Sequence, residues 1–238
     1  MNKVIIIGAT SGIGRELAKM YATNNWLVGA TGRRRELLDS LQQDFPDNII
    51  TECFDVTGGE NIECLKNLTQ QLGGLDLLIY NSGYGEPSET LNWEIDKNTT
   101  QTNVNGFVEM VNFAFNYFIL ERKGHIAATS SIAGIRGNSF APPYSASKAY
   151  ISTYMEGLYI KAARSKLPIY LTDIQPGFVK TKMAKGNGQF WVSPVEKAAL
   201  QIHTAIKNKK RIAYITKRWW LIAKLMQCLP ISIYKKIG

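Results

Sequence analysis

At 238 residues and 45% apolar composition the chain can bury a full core, and no internal repeat, low-complexity tract or linker divides it. Three cysteines, Cys53, Cys64 and Cys228, without Cys-x-x-Cys spacing indicate a reducing compartment, and two histidines, His125 and His203, are too few for a metal cluster of recognisable spacing. The net charge of +9 sits at one end: nine basic and no acidic residues follow from Lys207, and residues 1–206 hold nineteen of each sign.

The chain opens on Val4-Ile5-Ile6-Ile7, a short β-branched run too brief for a secretory leader and needed as a first strand. Gly8-Ala9-Thr10-Ser11-Gly12-Ile13-Gly14 follows at once, and residues 15–21 carry helical periodicity. In this strand, glycine turn and helix, Gly8 allows a tight turn. Gly12 lets the backbone approach a pyrophosphate, and Gly14 lets the helix lie close to the strand. A second strand, Leu27–Thr31, runs into Gly32-Arg33-Arg34-Arg35, where a protein selecting NAD would carry a carboxylate. Arg33 and Arg34 instead match a 2′-phosphate, so NADPH is preferred over NADH. One charge-assisted hydrogen bond is worth roughly 1.5–3 kcal/mol.

Further strands are expected at 49–54, 75–80, 124–130, 169–175 and 211–215, with helical segments between them as parallel crossovers require. Tyr144 and Lys148 stand four residues apart, thirteen and seventeen residues after Ser131. On a helix that spacing puts phenol and ammonium on one face. A nearby positive charge favours the phenolate and brings the phenol closer to working pH as a proton donor, with Ser131 holding the oxygen that receives the proton.

These motifs, in this order, resemble the short-chain dehydrogenase/reductase family in its single-domain form, from Val4 to about Thr216. The resemblance implies a Rossmann-type, doubly wound parallel α/β sheet over residues 1–216, with NADP(H) as cofactor. Gly8, Gly12 and Gly14, with Ser11 and Ile13 between them, are similar to its cofactor loop, and Asp55-Val56 to its adenine contact. Asn81-Ser82-Gly83 stands where the family has Asn-Ala-Gly. Asn103-Val104-Asn105-Gly106 resembles the segment whose first asparagine joins the catalytic set, placing a water that passes protons to Lys148. Pro176-Gly177-Phe178-Val179-Lys180-Thr181 resembles the nicotinamide turn, with Val179 and Thr181 as carboxamide contacts. Ser131, Tyr144, Lys148 and Asn103 are thereby the implied catalytic residues, and Lys148 also contacts the nicotinamide ribose. Two departures are visible: Ile7 replaces a threonine before the first glycine, and Ser82 replaces an alanine.

The activity implied is interconversion of a carbonyl and a secondary alcohol. Met183, Phe190 and Trp191 in the segment 182–193, with Gly186 and Gly188 as flexible points, suit a lid over an apolar substrate such as a lipid-linked keto group. A soluble 3-oxoacyl thioester or small ketone, and a non-catalytic NADPH-binding scaffold, are the alternatives. A homodimer or homotetramer is implied through helices containing residues 103–120 and 144–163. The first carries Phe107, Met110, Val111, Phe113, Ala114, Tyr117 and Phe118, more apolar surface than one core-facing stripe needs.

Residues 217–238 form the basic tail. As a helix, 217–229 presents a narrow polar stripe of Lys217, Lys224 and Gln227 opposite an apolar face, and it ends at Pro230, too short to span a bilayer. Paired Trp219-Trp220 and basic flanks suit a helix in the headgroup layer of an anionic membrane, which puts the protein in the cytoplasm and peripheral to the inner membrane face. Packing on a partner subunit or over the cleft is the competing role. No nucleic-acid module accompanies the charge.

Overall fold

The computed structural model describes residues 1–181 and 190–236. Seven parallel strands form one sheet: β1 (Lys3–Ile7), β2 (Leu27–Gly32), β3 (Ile49–Cys53), β4 (Leu77–Tyr80), β5 (Gly124–Thr129), β6 (Ile169–Pro176) and β7 (Ile212–Ile215). Their order is β3-β2-β1-β4-β5-β6-β7. Val4–Ile7 and Leu77–Tyr80 are buried, as strands covered by helices on both faces must be.

One face is covered by α1 (Gly12–Thr23), α2 (Arg35–Asp44) and α7 (Val195–Lys207), with Leu17, Tyr21, Leu41 and Ile202 in its core. The opposite face carries α3 (Asn61–Gln71), α5 (Gly106–Glu121) and α6 (Pro142–Ser165), around Leu68, Phe107, Phe118 and Ile151. The chain moves outward from β1 to β3 and then returns to place β4 against β1. The strand order reverses there, and ligand crevices open at that point beyond the carboxyl ends of the strands.

The helix expected over 103–120 is the last part of a longer run. It begins as α4 (Trp93–Thr100), passes through one π-helical segment at Gln101–Asn105 and continues as α5. Asn92 caps α4 by accepting from the backbone N–H groups of Glu94 and Ile95. The apolar surface of α5 serves the protein's own core: Phe107, Met110, Val111, Ala114 and Phe118 are buried, and Phe113 and Tyr117 pack against them. The exposed large apolar side chains of these two helices are Leu120 at the end of α5 and Tyr150, Tyr159 and Ile160 along α6.

The segment beyond Thr216 folds back on the domain as α8 (Trp219–Cys228) and α9 (Ile231–Tyr234). The expected pair of outward tryptophans is split: Trp219 is 4% exposed and Trp220 47%. Trp219 and Ala223 join Ile132 in a third apolar cluster, flanked by Phe178 and Tyr214. Arg136 fastens the far end, donating to the carbonyls of Met226 (3.1 Å) and Leu229 (2.8 Å) at the carboxyl terminus of α8. Its guanidinium also covers the Tyr234 ring at 4.6 Å, and the Tyr234 hydroxyl donates to the Gly137 carbonyl. A cation on the last carbonyls of a helix is favourable by its dipole as well as by its hydrogen bonds.

Candidate active site

The glycine loop leaves β1 at Gly8, whose φ of +88° suits only glycine, and a Cβ there would meet the Ser82 backbone at 2.8 Å. Gly14 is excluded from substitution by space, because its Cβ would lie 2.0 Å from the Gly8 carbonyl oxygen. That contact brings α1 against the end of β1 and aims the helix N-terminus into the crevice. Asn81 locks the loop from the other side: its amide donates to the Gly8 carbonyl at 3.3 Å and accepts from the Thr129 hydroxyl at 3.1 Å. Gly12 faces the opposite wall, its Cβ position 3.3 Å from the Thr181 methyl carbon.

Both expected arginines reach this crevice, with different partners. Arg34, the residue before α2, donates to the hydroxyls of Thr10 and Ser11 in the glycine loop. Arg33 pairs with the Asp55 carboxylate at 3.2 Å. Burial raises the Asp55 pKa most strongly of any single influence, but hydrogen bonds from the Thr57 backbone and hydroxyl, with Arg33, outweigh it and hold the carboxyl below its ordinary range. Val56 is buried, and its carbonyl abuts Gly106, where a Cβ would come within 2.7 Å.

Ser131 precedes a 3₁₀ turn at Ile132–Gly134 and caps it, accepting from the Ala133 N–H. Its hydroxyl reaches the Pro176 carbonyl at 3.5 Å and lies near enough to the Tyr144 phenol to influence its ionisation. Tyr144 stands in the first turn of α6, with its ring against Gly85, where a Cβ would fall 2.3 Å from the ring. Burial pushes the phenol pKa up, and the nearby Ser131 hydroxyl opposes the rise. Lys148 is buried one turn on, its Nζ donating to the Thr129 carbonyl at 2.8 Å and standing 5.6 Å from the Tyr144 ring centroid. Burial lowers the ammonium to about 8, while the Asp173 carboxylate acts in the other direction. The expected lowering of the phenol by Lys148 is therefore not what governs Tyr144 here; desolvation is.

Asn103 sits fully buried in the π-helical segment. Its Oδ1 accepts from the Tyr84 N–H at 2.7 Å, and its Nδ2 donates to the Tyr84 carbonyl and to the Ser147 hydroxyl. Ser147 in turn donates to the Tyr144 carbonyl at 2.8 Å. Both amide hydrogens are thus engaged, and the side chain is a strut between the Tyr84 segment and the turn that carries Tyr144. The expected water-placing role gains no support from this geometry.

Gly177 lies against Trp219: a Cβ would fall 2.1 Å from the indole. Val179 is buried in the core, and its backbone forms a parallel bridge to Ser193. The lid positions Met183, Gly186 and Gly188 lie outside the described residues. Phe190 and Trp191 are described, and with Phe178 they surround Trp219 at centroid distances of 5.0–5.9 Å.

Several residues bearing on the site carry no local signal in the chain. Trp219 reads as part of an amphipathic stripe, and Gly85 as a loop glycine. Asp173 and Gln175 on β6 look like polar interruptions of a strand, yet with Ser130 they form a buried network behind Lys148. Ser130 donates to Asp173, and the Gln175 amide donates to the same carboxylate at 2.6 Å. Among the described residues no three His, Cys, Asp or Glu side chains gather as a metal site would need.

The family model for short chain dehydrogenases matches residues 2–190. An uncharacterized oxidoreductase of Myxococcus xanthus is 34% identical over 77% of this chain and 74% of its own length. The NADP-dependent 3-hydroxy acid dehydrogenase YdfG of Salmonella typhi is 29% identical over 74% of the chain and 72% of its own. A short-chain dehydrogenase from Streptomyces avermitilis superposes with a TM-score of 0.83 at 23% identity, over 95% of this chain and 92% of the other, and shares the fold.

Proposed function

The chain belongs to the short-chain dehydrogenase/reductase family, and from that premise we propose that it is an NADP(H)-dependent enzyme interconverting a ketone and a secondary alcohol on an apolar or lipid-linked substrate. The observation that carries the reaction is the grouping of the Tyr144 phenol, the buried Lys148 ammonium 5.6 Å from its ring centre and the neighbouring Ser131 hydroxyl, on the side of the sheet where Gly12 approaches Thr181.

The crevice fits the cofactor. A loop with no room for a Cβ at Gly8 or Gly14 leads into a helix N-terminus suited to a diphosphate, and two guanidiniums flank the loop where a 2′-phosphate would lie. Gly8, Ser11, Gly12, Ile13 and Gly14 would hold the diphosphate, Arg33 and Arg34 the 2′-phosphate, and Asp55 and Val56 the adenine. Asn81 and Gly83 would support the ribose side, and Pro176, Gly177, Val179 and Thr181 the nicotinamide. When bound, the cofactor supplies or accepts the hydride. In the reducing direction Tyr144 donates its phenolic proton to the carbonyl oxygen as charge develops there, and the Ser131 hydroxyl hydrogen-bonds the same oxygen. Lys148 supplies positive charge beside the phenolate that remains, and Asn103, through Ser147, keeps the Tyr144 turn in place.

The aromatic wall of Phe178, Phe190, Trp191 and Trp219 supports an apolar substrate. Free Cys53, Cys64 and Cys228 suit the cytoplasm, and a lipid-borne ketone would place the enzyme at the inner membrane face. The exposed aromatic stretch of α6 supports a homodimer or homotetramer. NADPH consumption across long-chain ketones, membrane lipid extracts, 3-oxoacyl thioesters and small hydroxy-acid pairs tests the reading. The apolar ketones should have the highest kcat/KM. The Salmonella relative's 3-hydroxy acid chemistry favours the small polar arm, and fastest turnover there overturns the apolar reading. NADPH binding with no turnover on any substrate would mark a scaffold.

A further inference from the structure

Because the sheet is parallel, the loops after β4, β5 and β6 and the segment after β7 all emerge on one edge, the edge with the crevice. Exposed large apolar side chains concentrate there. Trp93 follows β4, Phe140 follows β5, and Trp191 follows β6. The segment after β7 contributes most. With Trp219 turned inward, α8 and α9 still expose Leu221 (59%), Leu225 (56%) and Ile231 (68%), with Trp220 and Ile233 beside them. Around this apolar surface stand Lys217, Arg218, Lys224, Lys235 and Lys236, with no acidic residue in the segment to offset them. Arg218 lies over the Trp191 ring at 4.8 Å, so the basic tail and the aromatic rim of the crevice form one surface.

We propose that this edge is a membrane-docking face: α8 and α9 lie in the headgroup layer of an anionic bilayer, with the crevice opening toward the lipid. Charge complementarity identifies the occupant. A protein partner could cover the apolar residues alone, but in α8 and α9, which would make the contact, basic residues without acidic ones flank the apolar side chains and match acidic headgroups above acyl chains. Among the described residues no helix is long and apolar enough to cross a membrane, so the segment lies on the surface and does not span it. Arg136 and Trp219 fix α8 to the domain, which holds the outward face in a set orientation. The inference extends the reading of a lipid-borne substrate. Vesicle binding is measured without substrate or cofactor, so that either reading can fail while the other stands.

The test is flotation of the full-length protein with vesicles of phosphatidylcholine alone or mixed with phosphatidylglycerol. Binding should rise at least tenfold with the anionic lipid and fall with added salt. The exposed double substitution Leu221→Ser/Leu225→Ser should reduce vesicle-bound protein at least tenfold and leave NADPH affinity unchanged. A Lys217→Gln/Lys235→Gln/Lys236→Gln variant should lose the preference for anionic lipid. Wild-type protein that stays with the soluble fraction at low salt overturns the proposal, as does wild-type-like binding by the serine variant. A drop in molar mass of the serine variant in light scattering, without vesicle binding by the parent, would assign the face to a second copy of the chain and equally overturn it.

Discussion

The Lys148 ammonium hangs 5.6 Å from the centre of the Tyr144 ring, yet its hydrogen bond goes to the Thr129 carbonyl and not to the phenol. Ser131 is the polar neighbour that acts on the phenol, drawing its pKa down against the burial that raises it and keeps the phenol protonated. A protonated donor held beside a serine hydroxyl is poised for the reducing direction. Tyr144→Phe removes the proton and little else, since the ring still fills the space against Gly85. It should retain NADPH affinity within a few-fold and lose turnover by roughly a hundred- to ten-thousand-fold. Near-normal reduction of a good substrate would show that another acid serves.

Cofactor selectivity should depend on Arg34 more than on Arg33. Arg34 already reaches the loop hydroxyls of Thr10 and Ser11, whereas Arg33 shares its charge with Asp55. Arg34→Ser should weaken NADPH by about ten- to a hundredfold, the equivalent of one charge-assisted bond, and leave NADH nearly unchanged. Arg33→Ser should act in the same direction with a smaller effect. Fluorescence titration with both cofactors decides, and equal losses for NADPH and NADH would mean a structural role.

The subunit contact is expected on α6. A shallow apolar groove lined by Tyr150, Tyr154, Gly157 and Leu158 runs along its outer face, and the Tyr150 and Tyr154 rings stack 5.7 Å apart. A Cβ at Gly157 meets nothing within 4 Å, so a side chain there leaves the isolated fold undisturbed. Light scattering at micromolar concentration should give a dimer or tetramer, and Gly157→Arg should lower the mass while thermal stability of the subunit holds. An unchanged mass would move the interface elsewhere.

His125 makes the fold acid-sensitive. It is buried on β5 against Thr172 and Tyr170, and burial, with Lys209 nearby, lowers its pKa to about 4. The unfolded histidine titrates near ~6.5, so between there and about 4 the unfolded chain binds a proton that the folded chain refuses. Stability should fall as pH drops through this window, by about 3 kcal/mol in all from this one group. His125→Gln should flatten the dependence in urea titrations from neutral pH downward; an identical slope would assign the acid sensitivity to other groups.

Strand-forming runs, the glycine loop and the Ser131, Tyr144 and Lys148 spacing were legible in the chain because each depends on chemistry within a few residues. Gly8 needs its positive φ whatever surrounds it, and a Tyr-x-x-x-Lys pair shares a helix face wherever the helix lies. What the chain concealed depends on partners distant in sequence. The apolar richness of α5 suggests a subunit interface until the sheet and α6 are seen to cover it. Asn103 offers the same amide whatever it faces, and its partners Tyr84 and Ser147 lie 19 and 44 residues away in the chain. Trp219 and Trp220 are adjacent identical residues, and periodicity cannot tell which faces inward when a helix has both a protein and a solvent side.

The contact between Trp219 and Gly177 makes this pair of tryptophans a two-channel optical probe once Trp26, Trp93 and Trp191 are replaced by phenylalanine. Trp219 is enclosed beside the turn expected to hold the nicotinamide, while Trp220, one residue on, faces outward. Intrinsic emission from one should respond to what enters the crevice, and emission from the other to what lies outside it. Single Trp→Phe exchanges at 219 and 220 would separate the two signals, so that occupancy of the interior and adsorption at the exterior could be followed in one cuvette without an attached dye.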